Sequence, residues 1–342
     1  MHRHLEYSGS FNFIRKIAEG GMATVFEAEQ LGPAGFSKRI ALKVIHPHLA
    51  ERREFLQLFI DEAKLSANLM HGNVVQIYQL GQVGGEYFIA MEYIQGPTLR
   101  SVIDRHNELG RPITATLVAY IGSRLCRALD FAHNFIGPDG RPLDIVHRDV
   151  SPGNVMITWD GHIKLGDFGI AKARTSIDPA SEQNLRMGKK RYMSPEQVVG
   201  TIVDARSDVF SLGVVLYELL ALSPLFLEDD TALSVEEVVL RPLPDLRSRV
   251  TDLDPDLAAI LNLALQRHPA DRASAATMGT LLDKWISTQH EREGASPDRL
   301  QAHLAQLFPA AYQPPSRTDK SEASSGTAAD PKKASILSRF FH

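Results

Sequence analysis

Cysteine is nearly absent from the 342-residue chain, which has a single one, Cys126, so no internal disulfide can form. Its setting, SRLCRALDFAH, has helical periodicity, and Cys126 reads as a small core residue rather than a reactive thiol. A charge excess is also missing. The net charge of -4 gives no electrostatic footing for nucleic acid, which asks for a basic face. No stretch approaches the ~18 apolar residues of a membrane span, and the N-terminus has no apolar signal region. These absences lead to the expectation of a cytoplasmic, reducing setting, with no membrane span and no nucleic-acid partner. What remains is ordinary for a globular chain: 44% hydrophobic and 23% charged residues. The length suits about two domain-sized units of roughly 150 residues each.

Residues 11–30 and 36–46 carry β-branched and aromatic residues broken by glycine, and read as strands. Over 51–69, Phe55, Leu58, Phe59, Ala63 and Leu65 fall near a 3.6-residue period, which predicts a helix. Two strand-like runs follow at 74–81 and 86–93, with Gly84-Gly85 as the turn. After Gly96 the pattern becomes helical, over 114–135, 204–222, 234–240 and 256–267. Gly96-Pro97 is thus expected to hinge a small β-rich lobe to a larger helical one. GPDGRP at 137–142 has the chemistry of a surface turn. From about 290 the composition turns to Ser, Ala, Pro, Lys and Asp. A short helix opened by Pro297, with Leu300, Leu304 and Leu307 on one face, is expected at 297–308. Disorder is expected beyond Pro309, where little apolar surface offsets ordering entropy.

Six short motifs carry chemistry. AEGGMATV at 18–25 lies between two strand patterns, where a glycine-rich turn lets backbone N–H groups approach phosphate oxygens. ALKV at 41–44 sets Lys43 in an apolar strand, where an ammonium is costly to bury without a partner. Glu62 on the following helix is a candidate for that partner. HRDVSPGN at 147–154 supplies a carboxylate, Asp149, and an amide, Asn154, five positions on. A carboxylate can accept a hydroxyl proton, and an amide oxygen is a hard ligand for Mg²⁺. DFG at 167–169 adds a second carboxylate, Asp167. SPE at 194–196 is followed by SDVFSLGVVLYEL at 207–219 and HPADR at 268–272.

In this order and at these spacings, the motifs resemble the protein kinase superfamily, in particular bacterial members of its eukaryotic-like Ser/Thr branch. The resemblance covers about residues 11–286. It implies an α+β, bilobal protein kinase fold: an N-lobe over 11–93 with one main helix, a hinge at 92–96 and a helical C-lobe over 97–286. Residues 1–10 become an N-terminal extension and 287–342 a mostly disordered tail. The implied function is transfer of the γ-phosphoryl group of ATP, with Mg²⁺ or Mn²⁺, to hydroxyls of protein substrates. Autophosphorylation between two transiently paired copies is included.

The resemblance also implies residue roles. Ile17, Ala18, Glu19, Gly20, Gly21, Met22 and Ala23 form the loop over the nucleotide. Val25, Ala41 and Met156 are apolar plates around adenine. Met91 is the gatekeeper, and Glu92 to Ile94 present hinge backbone to the adenine edge. Lys43, paired with Glu62, contacts the α- and β-phosphates; Asn154 and Asp167 hold the metal; Asp149 is the base. Asp208 braces the catalytic loop, and Glu196 pairs with Arg272.

Two departures stand out. Ala18 and Ala23 occupy places where the family has its first and third loop glycines. The family's catalytic-loop lysine is replaced by Ser151, and its activation-segment threonine by Lys189. An exchange is expected, with the Lys189 ammonium stabilising the transferring phosphoryl and Ser151 bonding Asp149. Arg148 is expected to receive a phosphate on Thr175, Ser176 or Ser181, and hydroxyls from Ser316 to Thr327 are further acceptors.

Overall fold

A computed structural model of the chain describes residues 10–83, 85–168, 191–226, 243, 245–250, 252–289 and 295–312. Outside them lie residues 1–9, Gly169, Thr175, Ser176, Ser181, Lys189, the helix expected at 234–240 and everything after Tyr312.

The N-lobe is one antiparallel sheet of β1 (Ser10–Glu19), β2 (Ala23–Leu31), β3 (Ser37–Ile45), β4 (Ile77–Val83) and β5 (Glu86–Glu92). The strand order is β1-β2-β3-β5-β4. Because side chains alternate between faces, a strand can bury one apolar set outward and another inward. Phe26, Ala28, Ile40, Leu42 and Phe88 form one cluster. Ala23, Ile45 and Ile89 form the other, under α1 (Arg53–Ser66), with Phe59 and Ala63. Helix α1 thus occupies most of the expected 51–69 span. The β4–β5 pairing places Val83 opposite Glu86, and Gly85 turns the chain with φ 91°.

The C-lobe is helical: α2 (Leu99–Leu109), α3 (Ala115–His133), α4 (Pro195–Val199), α5 (Ala205–Ala221), α6 (Pro255–Ala264) and α7 (Ala275–Thr288). A two-stranded ribbon, β6 (Val155–Ile157) with β7 (Ile163–Leu165), lies against it. Helix α5 is buried along nearly its whole length and all round, as its near-continuous apolar sequence requires. Asp204 caps it, accepting from the Arg206 N–H. Helices α3 and α7 approach closely where Cys126 meets Gly279; a Cβ on that glycine would lie 3.0 Å from the Cys126 Cβ. Cys126 is buried, and burial pushes its thiol pKa up, away from reactivity. Among the described residues no helix is long and apolar enough to cross a membrane.

Gly96 joins the lobes and must be glycine, since a Cβ there would sit 1.9 Å from the Ile157 carbonyl oxygen. The chain continues past α7 into α8 (Pro297–Leu307), inside the 297–308 stretch. This helix is docked, not free: Leu300, Leu304 and Leu307 are buried in the C-lobe core.

Candidate active site

Lys43 projects from β3, opposite Val25 of β2 in the register. Its Nζ donates to Glu62 Oε1 of α1 at 2.7 Å and to Asp167 Oδ1 at 3.0 Å. Burial alone would lower the lysine pKa, but the Asp167 and Glu62 carboxylates outweigh it and hold the ammonium charged. Burial pushes Glu62 up, Lys43 pulls it down, and the fields of Asp167 and Asp149 push it up again. The three carboxylates therefore share one electrostatic site with the ammonium.

Across that site, the Asn154 amide nitrogen donates to the Asp149 carbonyl at 2.8 Å and to its carboxylate Oδ2 at 3.0 Å. The Asn154 carbonyl accepts from Gly166 N–H at 2.9 Å, which sets Asp167 beside it. The donor set suits a hard divalent cation: a carboxylate on Asp167, and on Asn154 an amide oxygen left over because its nitrogen is committed to Asp149. Asp167 sits in the left-handed region, φ 55°, as does Arg148, φ 63°. Side chains rarely adopt that conformation without support from their surroundings.

Asp208 supplies the support for Arg148. This fully buried carboxylate accepts from His147 N–H and Arg148 N–H, both at 2.7 Å, and meets His133 Nε2 at 2.8 Å. His147 is a further part that the residue-by-residue reading passed over. Its Nδ1 accepts from Asp149 N–H at 3.2 Å, so Nε2 carries the proton and donates to the Gly166 carbonyl at 3.0 Å. Its ring packs on Phe168 at 4.5 Å. One imidazole thus ties the catalytic loop to the segment bearing Asp167. The histidine of the HRD motif was the available signal.

The SPE element packs beneath. Ser194 caps α4, and Gln197 donates to the Arg148 carbonyl at 3.1 Å, another tie that sequence reasoning missed. Arg272 grips Glu196 with two N–H groups, at 2.6 and 2.8 Å, and Ser207 Oγ also donates to it. Burial pushes the Glu196 pKa up, but these donors win and hold it down. Removing one partner of such a pair strands a buried charge at ~3–5 kcal/mol.

At the hinge, Met91 pairs with Ala41, and Glu92 is tied to the C-lobe through Lys164 Nζ at 2.9 Å. Ile94 is buried, and Met156 lies on β6. Ile17, Ala18 and Glu19 end β1; Gly20, Gly21 and Met22 turn the chain into Ala23. Gly20 N–H donates to the Ala23 carbonyl at 2.9 Å. Neither glycine has positive φ, and a Cβ on Gly20 would make only an ordinary 3.5 Å contact.

One expectation fails. Ser151 does not bond Asp149: its hydroxyl is buried and has no hydrogen-bond partner among the described residues. The Asn154 amide takes the carboxylate oxygen that the serine was expected to fill. Lys189, the other half of the exchange, lies outside the described residues.

Comparison with known proteins bears on this arrangement. Residues 11–286 match the family described as protein kinase domain. The chain is 38% identical over 297 residues to the tyrosine-protein kinase MasK of Myxococcus xanthus, covering 86% of this chain and 45% of that one. It is 36% identical over 263 residues to the serine/threonine-protein kinase PknB of Mycolicibacterium smegmatis, covering 75% and 40%. With the serine/threonine-protein kinase PknA of Mycobacterium tuberculosis the identity is 32% over 329 residues, covering 94% and 68%. The chain thus spans less than half the length of the first two relatives. In three dimensions it is similar to the PknI kinase domain of Mycobacterium tuberculosis, with a TM-score of 0.59 and 27% identity over 82% of this chain and 97% of that one. By sequence and by fold, the chain belongs to the protein kinase family.

Proposed function

We propose that the chain is an ATP-dependent serine/threonine protein kinase of bacterial signalling, with residues 11–286 as its catalytic unit. The observation that carries this reading is the Lys43–Glu62–Asp167 chain facing Asp149 and Asn154. Phosphoryl transfer leaves a protein mainly positioning and charge stabilisation to perform. Lys43, held by Glu62, trades Asp167 for the α- and β-phosphates. Asp167 and the Asn154 amide oxygen would hold the metal, Mg²⁺ or Mn²⁺, which would supply positive charge against the phosphates. Asp149, oriented by Asn154 and by His147 beneath its backbone, accepts the proton of the incoming hydroxyl. Val25, Ala41, Met91 and Met156 enclose adenine, the Glu92–Ile94 backbone bonds its edge, and the 17–23 loop covers the phosphates.

Lys189 supplies the positive charge that Ser151 cannot, on the strength of sequence position alone. Arg148 serves as receptor for a phosphate on Thr175 or Ser176; in support, its guanidinium has no partner among the described residues. The single cysteine and the use of ATP favour the cytoplasm as its workplace.

A second reading, with tyrosine as acceptor, draws on the MasK similarity and on the missing catalytic-loop lysine. Labelled ATP, generic protein substrates and phosphoamino-acid analysis decide between them. Phosphoserine or phosphothreonine is expected, and phosphotyrosine alone would replace the first reading with the second. Lys43→Met and Asp149→Asn should each lower turnover at least a hundredfold, and Lys189→Ala at least tenfold. Full turnover in Asp149→Asn would overturn both readings.

A further inference from the structure

Two residues along β2 and β3 from Val25 and Ala41, on the same sheet face, stand Glu27 and Arg39, and Arg15 of β1 is paired directly opposite Glu27. With the hinge residue Tyr93 and, from the C-lobe side, Trp159 and Ala311, they line a cleft of about 300 Å³. Glu27 is buried and acts as the anchor. It meets Arg15 Nε at 2.8 Å and Arg39 Nη1 at 3.3 Å, and accepts from the Tyr93 hydroxyl at 2.9 Å. Arg15 also donates to that hydroxyl at 3.1 Å. Two guanidiniums against one carboxylate leave the cleft with an unbalanced positive charge. Each guanidinium carries five N–H donors in a planar fork. Arg39 directs one at Glu27, across a long 3.3 Å, and has no other partner among the described residues. The remaining donors border the cleft, with side chains half-exposed to it. A fixed fork of this kind fits the oxygens of a phosphomonoester.

The chain itself approaches the cleft. Beyond α8, Trp159 packs edge-on against Phe308 at 6.1 Å and Tyr312 at 5.8 Å, which brings Ala311 to the cleft wall. Thirty residues follow Tyr312, and the first hydroxyl among them is Ser316, with Thr318 next. Five residues from Ala311 to Ser316 span at most ~17 Å, which is within reach of a cleft whose wall the chain already forms.

We propose that the Arg15–Arg39 cleft is a receptor for phosphate carried by this chain's own tail, on the first hydroxyls after Tyr312. The source of the phosphate rests on the kinase activity proposed above; the binding site does not. A phosphate seated there joins β1 and β3 of one lobe to Trp159 and the 308–312 turn of the other. Through Tyr93, whose hydroxyl meets both Arg15 and Glu27, it also holds the hinge. The two lobes are then fixed at one angle.

The test separates the two readings. The full chain bearing Asp149→Asn, which cannot phosphorylate itself, is titrated with a fluorescent peptide of residues 313–320 phosphorylated on Ser316. Saturable binding is expected, at least tenfold tighter than for the unphosphorylated peptide or inorganic phosphate. Arg39→Gln should weaken it about tenfold. Glu27→Gln frees both guanidiniums and should tighten it, a gain that misfolding cannot imitate. Phosphopeptide binding that ignores both substitutions, or none at all, overturns the site. Equal affinity for inorganic phosphate overturns the tail as occupant. Mass spectrometry of wild-type chain incubated with ATP and Mg²⁺ should find phosphate on Ser316 or Thr318. An active kinase that leaves both bare also overturns the tail, whereas an inactive one overturns only the proposed activity.

Discussion

The carboxylate of Asp208 receives three N–H groups, from His147, Arg148 and His133, with no exposure to solvent. Two of these are backbone donors from consecutive residues, and the second residue has φ 63°. An aspartate can satisfy both because its oxygens are acceptors only. Asp208→Asn would turn an amide NH₂ against at least one of those donors. Losing one hydrogen bond to a buried charged group costs about 2–3 kcal/mol. A lower urea midpoint is therefore expected, with a tenfold or larger fall in turnover as Asp149 loses its backbone reference. Unchanged midpoint and turnover would show that the loop holds its shape without this brace. At this scale residue type and chemistry alone made Lys43 with Glu62 legible, whereas Asp208 and the pair of Glu196 with Arg272 were legible only through the family resemblance. It was least legible where contact depends on ring or amide orientation. Nothing in the spacing of His147 or Gln197 says which carbonyl each will meet. Ser151 was misread because the competing donor, Asn154, reaches Asp149 through the single 3₁₀ turn Pro152–Asn154, which no side-chain periodicity announces.

Helix α2 went unpredicted although its buried residues, Leu99, Val102, Ile103 and His106, follow helical spacing. The fourth is a histidine, so the apolar stripe is short in composition and complete only in burial. Helix α7 was diluted in another way: Ala275 and Gly279 sit where α3 approaches, and close approach favours small residues over strongly apolar ones. Strands β1 to β5 were visible as β-branched and aromatic runs, but the placement of β5 between β3 and β4 is a tertiary fact. Helix α8 was readable from Pro297 and its leucines, whereas its docking was not, because the surface that receives it is built by α2 and the β6–β7 turn. Gly161 in that turn has φ 83°, and a Cβ there would lie 2.0 Å from the Pro297 carbonyl oxygen. Gly161→Ala should therefore displace the start of α8 and leave the β6–β7 pairing in place. Faster amide hydrogen exchange over 297–312, with little change in α3 or α5, is the expected reading. Equal exchange in the mutant would mean that the contact yields at no cost.

Taken whole, the molecule is two lobes with a docked C-terminal helix, and the helix is held partly by a pair of neutral histidines. His106 of α2 and His303 of α8 stack with ring centroids 5.0 Å apart and share a hydrogen bond between their Nε2 atoms at 2.9 Å. The Nδ1 of His106 faces the Arg111 carbonyl at 2.7 Å and so carries a proton. Neutral His106 then offers a bare Nε2, to which the His303 Nε2–H donates. A second proton on His106 would set two N–H groups against each other. Burial lowers both pKa values, and proximity to His106 adds to the effect on His303, which falls to about 4. Released into the unfolded chain, each returns to about 6.5. Between about 6.5 and 4 the unfolded state therefore binds more protons than the folded one, and stability falls as the solution is acidified. Above 6.5 the pair costs nothing. At pH 5 His303 accounts for about 1 kcal/mol of lost docking, after allowance for solvent at a site that is only partly enclosed. Moving from pH 7.5 to 5 should lower the protection factors across 297–312, which correct exchange rates for the intrinsic pH dependence of amide exchange, about fivefold. His303→Gln can still donate to His106 but cannot take up a proton itself, and should remove most of that pH dependence. A variant whose protection factors still fall fivefold would place the acid sensitivity of α8 outside this histidine pair.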